Sequence, residues 1–202
     1  GNLLVAKNKH YKEIDKYFNL TKEIICVNAI NENIQQRLNG CDYDSDTMLI
    51  TNDSILLESA KKNYHMFKVP FCNASPIQND EDEKLYMIDH LIANNFVGQI
   101  VNLSQYLNSI LWDGLNHQII EDYESIYNKI CILSVLSGME IDKAKRDYGV
   151  NARECCDRIK KELGVISINR PAFLYVVNEI PVPIYASYYA TTMDEIVYQM
   201  SN

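Results

Sequence analysis

Two patterns of apolar positions divide this chain. Up to about position 51 they come in short runs. Residues 3–6, 24–27 and 47–51 are each dominated by aliphatic or β-branched side chains, and runs of that length and composition predict strands. Residues 11–18 are mixed and amphipathic and predict a short helix or loop. Ile34 and Leu38 form an i, i+4 pair within 31–38, which predicts a short helix. Asn39-Gly40 ends it, because Gly takes the left-handed position after a helix.

Beyond position 51 the spacing becomes helical. Asn52-Asp53-Ser54 is an N-cap cluster for a helix from 55 to about 67. Residues 70–82 read as a loop, with Pro70, Pro76 and an acidic stretch. Apolar residues then recur at 85, 88, 91, 92, 96, 100, 103, 107, 110 and 111. That sustained three-four spacing buries one helix face, with Gly98 as a candidate kink. Residues 122–138 predict a core helix. Residues 143–163 are charged helical material interrupted at Gly149, 172–177 a strand, and 193–200 a final helix, with Pro181 and Pro183 in an irregular connector. The expected class is α+β: a small β element over 1–54, and over 55–202 a mainly helical subdomain with a short C-terminal strand and helix.

Composition narrows this little. The chain of 202 residues is 47% hydrophobic and 23% charged, with few Gly and Pro, as in an ordinary globular protein. No apolar run approaches the roughly 20 residues of a membrane span, so no membrane partner is expected. The chain opens Gly1-Asn2-Leu3 without an initiator Met, so it reads as a piece of a longer protein. Its six cysteines form no Cys-x-x-Cys pair, which points to free thiols and a reducing cytoplasm rather than zinc or disulfides. The net charge of −8 argues against nucleic-acid gripping by the chain alone. It suits a catalytic piece that gathers carboxylates around metal. The four histidines, at 10, 65, 90 and 117, are scattered and read as surface or packing residues.

The chemistry lies in Asp42-Tyr43-Asp44-Ser45-Asp46. Alternate side chains of an extended or tightly looped backbone point to one side, so Asp42, Asp44 and Asp46 converge. Three close carboxylates repel unless a cation neutralises them, and hard oxygen ligands suit Mg²⁺ or Mn²⁺. Two alternatives stand beside this reading. One is a solvated acidic turn. The other is an EF-hand-like Ca²⁺ loop, which shares the Asp-x-Asp-x-Asp opening but here has Thr47 at the turn position and Asp53 at the last ligand position.

The stretch Asn39 to Met48 resembles the metal loop of the two-barrel (double-psi β-barrel) RNA polymerases, whose signature is Asp-x-Asp-Gly-Asp followed by a hydrophobic strand. Ser45 stands where that family has Gly. A group of single-chain bacterial relatives with Asp-Phe/Tyr-Asp-Ser-Asp is the nearest resemblance. Downstream, Gly98-Gln99-Ile100-Val101-Asn102 resembles the Gly-x-Ile-x-Asn of the gene-silencing RNA-dependent RNA polymerases. Met139-Glu140-Ile141-Asp142-Lys143 stands in the place of their Val-Asp-Phe-x-Lys segment. The resemblance implies a partial double-psi barrel carrying the aspartate loop and Mg-dependent nucleotidyl transfer. It also implies metal-holding, catalytic roles for Asp42, Asp44 and Asp46, and nucleic-acid phosphate facing Lys143 and Lys145. Nucleic acid, nucleoside triphosphates and the rest of a polymerase-like protein are the implied partners. Because only part of one barrel fits in the chain, the isolated chain is expected to be inactive. A non-catalytic metal-binding module or a degenerate polymerase relative kept for interaction is the alternative.

Overall fold

In the computed structural model, the structure describes residues 3–38, 40–43, 46–66, 68–77, 84–93, 95–117 and 123–163. Seven α-helices and one 3-10 turn occur among them, and no strand. The α+β expectation is therefore corrected: the described residues contain no β element and no barrel. The runs 3–6, 24–27 and 47–51 lie outside regular structure. A β-type run becomes a strand only by pairing in a ladder, and none of the three has one. The strand at 172–177 and the helix at 193–200 fall outside the described residues.

The chain divides into two compact units, one ending at Phe71 and one beginning at Cys72. In the first, α1 (Lys12–Tyr17) and α2 (Ile34–Arg37) are short, and α3 (Ser54–Asn63) is the one longer helix. The capping expectation at α3 holds: Asp53 is the N-cap, and its Oδ1 accepts the Leu56 N–H at 3.0 Å. After α2, Gly40 is left-handed at φ +77°. Ile34 is the one buried apolar residue of this unit among those described, and Arg37 lies over the Tyr64 ring at 4.2 Å.

The second unit holds the core. The single long helical pattern expected over 83–117 is two helices, α4 (Leu85–Ala93) and α5 (Val97–His117). The sequence separates them with Asn94-Asn95, a residue type that competes with helix backbone for hydrogen bonds. Gly98 is thus in the first turn of α5 rather than at a kink. Next come α6 (Tyr123–Ile141), a 3-10 turn (Asp142–Ala144) and α7 (Ala152–Glu162). Ile100, Leu103 and Leu107 of α5 pack with Leu133 and Leu136 of α6 and with Cys156 and Ile159 of α7. The α7 start is doubly capped: Asn151 Oδ1 accepts the Glu154 N–H at 3.2 Å, and Asn151 Nδ2 donates to Glu154 Oε1 at 3.0 Å. At its far end Glu162 pairs with Lys129 of α6 at 3.1 Å. No helix among the described residues is long and apolar enough to cross a membrane.

Candidate functional site

The aspartate loop starts where α2 stops. Gly40 donates its N–H to the Gln35 carbonyl at 2.6 Å and turns the chain through the left-handed region. Tyr43 is left-handed as well, at φ +66°, an unusual conformation for a residue with a Cβ. Its local compensation comes from Asp46. Asp46 Oδ2 accepts the backbone N–H of Asp42 at 2.9 Å and of Tyr43 at 3.0 Å. The third aspartate of the run thus folds the loop back onto the first, in the manner of short polar side chains that hydrogen-bond nearby backbone.

Asp42 and Asp46 accordingly stand on one small turn. Both carboxylates raise the Cys41 thiol pKa, after the larger effect of its partial burial. Asp44 and Ser45, and with them the expected convergence of three carboxylates, lie outside the described residues. No set of three metal-competent side chains occurs among the described residues. The donor chemistry of Asp42 and Asp46 fits a hard divalent cation: Asp46 spends Oδ2 on the backbone and retains Oδ1 as a ligand atom. The EF-hand geometry fits less well. Its turn needs a left-handed residue at the sixth loop position, here Thr47, whereas the left-handed ones among the described residues of 40–53 are Gly40 and Tyr43.

After the loop, Met48, Leu49 and Ile50 are exposed, Leu49 at 96%. No backbone–backbone hydrogen bond is found for residues 47–51 among the described residues. An uncharged, exposed apolar segment directly follows the acidic turn.

Lys143 and Lys145 belong to the second unit, at the C-terminal end of α6. Lys143 Nζ lies 3.7 Å from Glu140 Oε2. Glu140 has a side chain only 5% exposed, and its Oε1 accepts the Phe96 N–H at 3.0 Å. The carboxylate therefore caps the start of α5 from the end of α6. Arg153 of α7 covers the Phe96 ring at 4.9 Å, so three helices meet at Phe96. Lys145 is exposed and engaged by a further interaction. Sequence reasoning passed over Glu140 as a member of a motif. The available signal was a lone charge in the apolar stretch from Leu133 to Ile141.

A shallow concavity is lined by Leu136, Glu140, Lys143, Arg146, Asp147 and Tyr148, among others, with room for about one water molecule (about 10 Å³). All six cysteines are free thiols. His10 pairs with Asp15 at 3.1 Å on the surface. Compared with protein-family models, curated proteins and solved structures, the chain finds no match in any of the three.

Proposed function

We propose that this chain is part of an RNA-polymerase-like nucleotidyltransferase, in which Asp42, Asp44 and Asp46 hold Mg²⁺ or Mn²⁺ and Lys143 and Lys145 lie on the side that faces nucleic acid. The observation that carries the reading is the aspartate turn itself: Asp46 curls the backbone so that Asp42 and Asp46 share one exposed turn. The ordered resemblance of three segments to the two-barrel polymerases supports the same class.

When bound, the metal acidifies an RNA 3′-hydroxyl and stabilises charge on the transferred phosphoryl group. The residues of this chain supply the carboxylates, and Asp46 also holds the loop in shape. Lys143 and Lys145 sit on the segment that meets phosphate. The exposed apolar run at 48–50 supports a role within a larger protein, whose other parts cover it and complete the nucleotide site. Alone, the chain is inactive; robust template-dependent RNA synthesis by the purified chain overturns that statement.

Calorimetric titration with Mg²⁺, Mn²⁺ and Ca²⁺, repeated on Asp44→Ala, tests the assignment. The expected result is Mn²⁺ and Mg²⁺ binding that the substitution abolishes. Tight Ca²⁺ binding with indifference to Mn²⁺ sinks the polymerase reading.

A further inference from the structure

The segment after α6 presents Lys143, Lys145 and Arg146 within four positions, and the structure gives them unequal tasks. Lys143 is committed. Its ammonium faces a carboxylate that is nine-tenths buried and held from the other side by a backbone N–H. Moving Lys143 to an outside phosphate would leave that buried charge without its cation, which is costly. Lys145 is engaged elsewhere.

Arg146 differs on each count. It is exposed and forms no ion pair among the described residues. It lines the same concavity as Lys143 and Tyr148. Its backbone is fixed rather than loose. The Lys145 and Arg146 N–H groups both donate to the Asp142 carbonyl, at 2.7 and 2.8 Å, and the Asp147 carbonyl accepts the Ile77 N–H at 2.7 Å. The Gly149 N–H donates to Asp147 Oδ1 at 2.7 Å. Gly149 is left-handed at φ +64°, and a Cβ there would collide with Ile77 Cδ1. A guanidinium on a pre-ordered turn loses less freedom on binding, and its planar fork matches phosphate oxygens.

We propose that Arg146 is the phosphate-contacting cation of this segment, and that Lys143 serves the Glu140–Phe96 junction instead. The inference rests on the nucleic-acid reading above and changes which residue carries it. The test is fluorescence anisotropy of the whole chain with a labelled single-stranded RNA oligonucleotide at low ionic strength, together with thermal melting. Arg146→Ala is expected to weaken RNA binding about tenfold and to reduce the slope of log affinity against log salt by about 0.7, with the melting temperature unchanged. Lys143→Ala is expected to lower the melting temperature and leave RNA affinity close to wild type. Loss of binding in Lys143→Ala at unchanged melting temperature, with Arg146→Ala binding normally, overturns the inference and leaves the nucleic-acid reading intact. Absence of RNA binding by the wild-type chain also overturns the inference, whereas the metal titration above decides the proposed function separately.

Discussion

The two units use similar side chains to opposite ends. In the second, apolar residues recur at helical spacing on long helices, and each stripe meets the next helix a short distance along the chain. Ile100 and Leu133, on α5 and α6, are both fully buried. In the first unit, apolar residues come as short runs that form no strand among the described residues, and Leu49, Ile50 and Ile24 stand in solvent while Ile34 alone is buried among those described. A helix satisfies its own backbone and needs a partner for one face only. A β-type run needs a partner for its backbone as well. The unit with the candidate metal loop is thus the one whose described apolar residues are mostly exposed, and the unit with the described core is the one that presents Arg146.

The sharpest way to break this comparison is to truncate one leucine in each unit. Leu133→Ala is expected to cost about 2–5 kcal/mol in denaturant unfolding, the range for a large buried side chain. Leu49→Ala is expected to change stability by less than about 0.5 kcal/mol. Equal effects would show that the first unit has a core of its own.

Next in size is the α5–α6 junction. Glu140→Ala leaves the Phe96 N–H without its acceptor, an expected loss of about 1–3 kcal/mol. Glu140→Gln keeps an oxygen for that N–H and is expected to lose less. If the two variants melt alike, the cap is not what the carboxylate contributes.

Cysteine chemistry separates the units by pH. Burial pushes the Cys156 thiol up to about 11 from an ordinary 9.0. A raised folded-state pKa means that the folded chain holds the proton more tightly. The stabilisation is therefore complete below pH 9 and is lost as pH rises towards 11. Stability of the helical unit is expected to fall over that window, by up to about 1–3 kcal/mol, and Cys156→Ala is expected to flatten the decline. At neutral pH a thiol reagent is expected to modify exposed Cys26 before buried Cys156; the reverse order contradicts the burial pattern.

The smallest effect tests the cap of α3. Asp53→Ala removes the acceptor of the Leu56 N–H and is expected to cost about 1 kcal/mol, read as lost helicity by circular dichroism.

What was legible in the sequence follows the same division. The helices at Ser54–Asn63, Tyr123–Ile141 and Ala152–Glu162 were visible because periodicity and caps are local signals. The left-handed Gly40 was visible for the same reason, and Gly149 as a break in the helical pattern. The strands were misread because pairing is not local: nothing in 24–27 or 47–51 states whether a neighbour exists. The aspartate run was plain to see, but the turn made by Asp46 Oδ2 depends on Tyr43 adopting a positive φ, which its composition does not announce. Lys143 was singled out by motif position. Its contact with Glu140 is local, an i, i+3 pair, but the task of that carboxylate is not: Glu140 accepts the Phe96 N–H from 44 positions away.

The central claim is that the aspartate turn is a Mg²⁺ or Mn²⁺ site within the unit whose described apolar residues are mostly exposed. Paramagnetic broadening by Mn²⁺ in an amide NMR spectrum tests it most directly. Broadening is expected for the amides of Cys41, Asp42, Tyr43 and Asp46, reversed by excess Mg²⁺ and absent in Asp44→Ala. Broadening that spares those amides, or that persists in Asp44→Ala, contradicts the account.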